Sequence, residues 1–101
     1  MIARVWHGVT READGESYLD YIQKTGVKDL RATAGNRGVY VLRRTENGRA
    51  EFLLISLWES LEAIRQFAGD DTEKAVYYPR DPDFLLEIEP EVTQYEVLVE
   101  P

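Results

Sequence analysis

The chain has 101 residues, the length of one domain, 1–101, rather than two; 44% are hydrophobic and 31% charged, the composition of a folded domain. Twelve Lys and Arg against nineteen Asp and Glu give a formal charge of −7, which argues against a nucleic-acid backbone or an anionic membrane surface as partner. No cysteine and a single histidine, His7, exclude disulfides, thiolate chemistry and any multi-histidine metal site.

In chain order, Met1 to Thr10 alternates Ala3, Val5, His7 and Val9 with Ile2, Arg4, Trp6 and Gly8, the period of a strand. Glu12 to Lys24 changes to a helical period through Tyr18, Leu19, Tyr21 and Ile22; Thr10 or Asp14 is expected to cap it and Gly26 to end it. A short helical turn over Val27 to Ala34 closes at Gly35-Asn36. Gly38 to Glu46 and Arg49 to Trp58 read as two strands around Asn47-Gly48, a strong hairpin signal. Ser60 caps a helix carrying Leu61, Ile64, Phe67 and Ala68, and Gly69 ends it. Asp70 to Tyr78 is expected to add one or two helical turns, Pro79 and Pro82 to enforce a loop, and Val92 to Glu100 to form a last strand. The longest apolar run, Phe52-Leu53-Leu54-Ile55, is far short of the roughly 20 residues that span a bilayer. The N-terminus lacks a signal-peptide pattern, so a cytoplasmic location is expected.

The order β-α-β-β-α-β predicts an α+β, ferredoxin-like fold with an antiparallel sheet. With the aliphatic face of the first strand against the helices, the other face would carry Trp6, Tyr40, Leu42, Phe52, Leu54 and Trp58 with nothing left to cover it. Such a face predicts a second copy packed sheet to sheet; loops folded over it in a monomer are the alternative.

Leu57-Trp58-Glu59-Ser60, at the end of a strand and before a short amphipathic helix, resembles the antibiotic biosynthesis monooxygenase-like family of dimeric α+β barrels. Gly35-Asn36-Arg37-Gly38-Val39, Phe67-Ala68-Gly69 and Ala75-Val76-Tyr77-Tyr78-Pro79 fit one branch of it, and the likeness covers nearly the whole chain. The resemblance implies a homodimer and a small-molecule pocket between helices and sheet in each subunit. The heme-degrading branch uses an Asn, a Trp and a His; ungapped counting puts those positions at or near His7, at Phe67 and at Tyr77, so all three differ. Heme degradation by that mechanism is therefore disfavoured, with Tyr77 left as an alternative iron ligand; the first expectation is an oxygenase that needs no metal or organic cofactor.

A cofactor-free oxygenase must take a proton from a phenol or enol so that the resulting anion can reduce dioxygen. His7, the one side chain that titrates near neutrality by default, is the candidate base. Tyr77 and Tyr78 are candidates for orienting an oxygen substrate or an anion. Trp58 and Phe67 are expected to line the pocket and Arg80 to stand at its mouth. For Trp58 packing under the following helix is the favoured role, and a half-buried histidine bonded to a backbone carbonyl is the alternative for His7. Arg4, Arg43 and Arg44 lie within strands and are expected to pair with Glu96 or Glu51; an arginine facing a pocket would instead steady an enolate or carboxylate. Trp6 is expected at the dimer interface, and Asp81 in a solvated loop. Three readings fit: an oxygenase or related proton-abstracting enzyme, a dimeric protein that binds a small molecule without chemistry, and a purely structural dimer with a filled core.

Overall fold

The structure, a computed structural model, describes all 101 residues. Strand β1 (Ile2–Arg11) runs antiparallel to β3 (Arg49–Trp58), from Ile2 opposite Trp58 to Arg11 opposite Arg49. Strand β2 (Asn36–Glu46) flanks β3 and β4 (Thr93–Glu96) flanks β1, so the sheet order is β2-β3-β1-β4. This is the expected α+β, ferredoxin-like arrangement. Asn47 (φ 53°) and Gly48 (φ 75°) join β2 to β3, the left-handed pair of a two-residue hairpin.

On the first crossover a 3-10 turn over Glu12–Asp14 leads into α1 (Gly15–Lys24) and then α2 (Gly26–Ala32). The break falls at Thr25, whose hydroxyl donates to the Tyr21 carbonyl, so Gly26 opens the second helix rather than ending the first. Neither expected cap forms. Thr10 donates its hydroxyl to the Arg11 carbonyl, and Asp14 accepts from the Arg11 guanidinium. In α3 (Leu61–Ala68) the Ser60 hydroxyl accepts from the Ala63 N–H, and Gly69 (φ 86°) ends the helix, as expected.

The C-terminal third departs further. Asp70 to Tyr78 forms no helix, because its backbone pairs with the returning chain: Ala75 N–H donates to Pro90 C=O and Val92 N–H to Glu73 C=O. The proline loop contains a short helix, α4 (Asp81–Phe84), with Pro82 in the first turn, where no N–H is needed. The last strand is only Thr93–Glu96, and Leu98 and Val99 stand in solvent.

The two sheet faces are the reverse of the expectation. Arg4, Trp6, Gly8 and Thr10 of β1, with Ala50, Phe52, Ser56 and Trp58 of β3, lie under the helices. Ala3, Val5, His7 and Val9, opposite Leu57, Ile55, Leu53 and Glu51, form the open face. Alternation makes both faces apolar; the larger aromatic side chains take the covered one, where burial removes more surface from water. Gly8 makes room there, since a Cβ on it would lie 2.2 Å from the Trp6 ring. Tyr40 and Leu42 stay on the open face, opposite Ile55 and Leu53, while Trp6, Phe52, Leu54 and Trp58 do not.

Candidate functional site

Under the helices, β1, α1, α2 and the segment Val76–Asp81 enclose a recess of about 40 Å³. β1 brings Arg4 and Trp6 into it, α1 brings Tyr18 and Ile22, and the segment before α4 brings Tyr77, Tyr78 and Asp81. The Trp6 Nε1–H donates to the Tyr77 hydroxyl at 3.2 Å, and that hydroxyl donates to the Glu89 carbonyl. Tyr77 therefore spends its proton on the backbone and keeps one lone pair.

Asp81 is 4% exposed and is held at both oxygens: Tyr18 donates to Oδ1 at 3.0 Å, and the Tyr78 N–H donates to Oδ2 at 2.7 Å. Burial raises its carboxyl above the usual value, and the two hydrogen bonds limit the rise. Burial and then the charge of Asp81 push the Tyr18 hydroxyl far up, so it remains a donor. The Tyr78 hydroxyl donates to Asp29 Oδ2 at 2.7 Å and is pushed up by burial and by that partner. Beyond Tyr78 lies an open groove of about 460 Å³, lined by Asp29, Phe67, Gln66 and Val76 among others. Val76 and Tyr78 line both spaces and so form the partition between them.

His7 is not in the recess. It projects from the open face between two carboxylates, with Nδ1 on Glu89 Oε2 and Nε2 3.0 Å from Glu51 Oε2. Burial by itself would lower its pKa; the hydrogen bonds and charges of Glu89 and Glu51 outweigh that and raise it above 6.5. The hydrogen bond from His7 and the charge of Arg44, 3.2 Å away, hold Glu51 below its usual value. One covalent residue links the two faces, because Glu89 offers its carboxylate to His7 and its carbonyl to Tyr77. A polar hollow of about 380 Å³ at the hairpin end, lined by Arg44, Asn47, Arg49 and Glu51, is open to solvent.

Of the residues singled out in the sequence, Tyr77 and Tyr78 meet in the recess. Trp58 is fully buried beneath α3, with its Nε1–H on the Ser56 hydroxyl, and anchors the core with Leu30 and Ile64. Phe67 lines the groove. Arg80 lies outside both, over the Tyr21 and Phe84 rings and beside Asp83. The sequence reading did not place Asp81, Trp6 or Tyr18 in a pocket, and it held a pocket-facing arginine only as the alternative to an ion pair for Arg4. Only the β1 face decides for Trp6 and Arg4, and nothing in the local pattern separates Asp81 from a solvated loop residue. Arg4 pairs with neither Glu96 nor Glu51; its Nη2 donates to the Lys74 carbonyl at 2.7 Å, and its Nε lies 3.5 Å from the Thr72 carbonyl.

Comparison with solved structures finds the same architecture over the full chain. A provisionally assigned antibiotic biosynthesis monooxygenase of Bacillus cereus superposes with a TM-score of 0.66 at 19% identity, covering 99% of this chain and 95% of that one. The chain has the antibiotic biosynthesis monooxygenase-like fold. A second provisionally assigned monooxygenase with this fold, from Nitrosomonas europaea, gives 0.65 at 15% identity over 98% and 100% of the two chains. The heme-degrader MhuD of Mycobacterium tuberculosis, with two hemes bound in its active site, gives 0.62 at 16% over 100% and 99%. No protein-family model and no curated protein matches the chain. What these proteins share with it is the monooxygenase-like fold.

Proposed function

We propose that the chain is a small-molecule oxygenase, or a related proton-abstracting enzyme, acting on an aromatic or enolisable substrate without metal or organic cofactor. The observation that carries this reading is the convergence of the Asp81 carboxylate and the Tyr77 hydroxyl, which keeps one lone pair, on an aromatic recess beneath the helices. The recess alone has room for little more than one water-sized group of roughly 30 Å³. Turning the Tyr78 ring outward, at the expense of its bond to Asp29, joins it to the groove beside Phe67. The joined space falls in the range of small-ligand sites, about 300–1,000 Å³.

In that space a substrate hydroxyl or acidic C–H faces Asp81. Two of the four or so lone-pair sites of its carboxylate are taken by Tyr18 and Tyr78. Burial raises its affinity for a proton, as a general base requires. The substrate carbanion then forms a carbon–oxygen bond to dioxygen, which takes up the electron pair, and the proton held by Asp81 passes to the resulting peroxide. His7 acts at one remove: its ring holds Glu89, whose carbonyl holds Tyr77. The test is dioxygen uptake with a hydroquinone and with a flavonol. Uptake by the wild type that falls about a hundredfold in Asp81→Asn is expected; uptake unchanged by that substitution refutes the assignment.

Binding without chemistry is the second reading, and the Tyr77 geometry favours it, because its proton is committed to Glu89 rather than offered to an oxyanion. Saturable binding of a hydroquinone with no uptake selects it. For heme no iron ligand stands free: His7 is on the other face, and the hydroxyls of Tyr18, Tyr77 and Tyr78 are each engaged by protein partners.

The open sheet face supports a homodimer. It carries Val5, Leu53, Ile55 and Leu57, with Tyr40 and Tyr95 more than half exposed, and no element of the chain crosses it. A second copy of the same face would bury these side chains sheet to sheet.

A further inference from the structure

The recess contains a cation as well as the Asp81 carboxylate. Arg4 is 4% exposed, yet no Asp or Glu pairs with it, unlike Arg11, Arg37, Arg43, Arg44, Arg65 and Arg80. A guanidinium has five N–H donors. One on Nη2 and the Nε–H lie toward the neutral carbonyls of Lys74 and Thr72. Gln94, its cross-strand neighbour on β4, leaves Oε1 buried without a partner rather than accepting from it. The Phe67 ring lies under the guanidinium, 5.5 Å from centroid to Cζ. Burial lowers the Arg4 pKa to about 10, with no neighbouring carboxylate to oppose the shift.

A buried charge without a counter-ion is expensive to keep, and a planar N–H fork matches a carboxylate at two points. We propose that Arg4 seats a carboxylate of the ligand, so that the substrate class is a small aromatic carboxylate with its head group in the recess and its ring in the groove. The sizes agree. A space of about 40 Å³ accepts a head group and not a ring, whereas the groove, with Phe67 and Val76 as walls, accepts a ring. Phe67 belongs to both ends, because its ring carries Arg4 and it also lines the groove. This assignment rests on the recess being the ligand site and adds the chemistry that selects the ligand.

The test uses 2-naphthoate and its neutral isostere 2-naphthamide, each titrated calorimetrically into the wild type, Arg4→Met and Arg4→Lys. Expected is saturable binding of naphthoate at least tenfold tighter than naphthamide in the wild type. Arg4→Met should bind the two probes equally, and Arg4→Lys should fall between. Because the comparison is a ratio within one protein, a general loss of stability does not imitate it. Equal affinity of the two probes for the wild type overturns the assignment and leaves the recess as a site for neutral ligands. Binding of neither probe by a wild type that does bind a hydroquinone overturns this assignment and leaves the recess reading; binding of none of the three overturns both. A preference that persists unchanged in Arg4→Met shows that another cation reads the carboxylate and overturns the assignment to Arg4.

Discussion

Replacing Tyr18 by Phe isolates the electrostatics of the recess. The ring, 1% exposed, packs edge-on against Phe52 with centroids 5.3 Å apart and tilted against Phe84 at 5.4 Å, contacts that Phe keeps. What is lost is one 3.0 Å hydrogen bond to Asp81 Oδ1, on a carboxylate that is itself 4% exposed. Removing one partner of a buried bond to a charged group destabilises by about 1.5–3 kcal/mol. For a domain near this size that lowers Tm by roughly 6–24 °C. The effect depends on pH in a defined direction. The folded-state pKa of Asp81 is raised, so its ionised form is a liability above that pKa, and acidification relieves it as the native state takes up the proton first. A protonated Asp81 no longer needs the Tyr18 donor. The difference in Tm between wild type and Tyr18→Phe, followed by circular dichroism, should therefore be largest near about pH 7.5 and shrink toward about pH 4. A difference below about 0.5 kcal/mol, or one constant across that range, refutes a buried ionised Asp81.

His7 is the chain's one histidine, so its imidazole gives one NMR signal; the titration midpoint should lie above 6.5, and a midpoint at or below that value removes the Glu51–His7–Glu89 clamp. The sign follows: a raised histidine contributes stability fully present below about pH 6.5 and lost as pH rises through the folded value. Gly8→Ala should destabilise by about 1–3 kcal/mol in urea unfolding, because the new Cβ meets the Trp6 ring at 2.2 Å and the indole must leave Tyr77; an unchanged midpoint contradicts that packing. Leu53→Asp, at the centre of the open face, should convert a dimer to a monomer by light scattering; a wild type that is monomeric at micromolar concentration removes the sheet-to-sheet dimer. Ser60→Ala should lower stability by about 1 kcal/mol through loss of the α3 cap, read as a shift in denaturation midpoint.

Strand order, hairpin, the α3 cap and the uncovered face were legible because each follows from local chemistry: alternation, Asn47-Gly48, Ser60 and Gly69. The side of the sheet was not. β1 is apolar on both faces, and period-2 reasoning fixes which residues travel together without saying which set the helices cover. That one inversion moved His7 out of the pocket and brought Arg4 and Trp6 into it. Residues 70–85 resisted reading for another reason. Glu73 to Ala75 has its backbone partners in 90–92, a long-range pairing that overrides the local helical spacing of Ala75 and Val76. Tyr77 and Tyr78 were found as a pair before a proline, but their division of labour, one braced on Glu89 and one on Asp29, depends on that pairing.

The central claim is that a small molecule binds beneath the helices, behind Tyr78, and not on the His7 face. The two tryptophans make the direct measurement simple, since each indole N–H gives its own signal in a nitrogen-15 correlation spectrum. Trp6 donates to Tyr77 in the recess, while Trp58 donates to Ser56 in the closed core. Titration with 2-naphthoate should shift the Trp6 indole signal progressively and leave the Trp58 indole and the His7 ring in place. Shifts at His7 with an unmoved Trp6 indole would contradict the account and put the site on the open face.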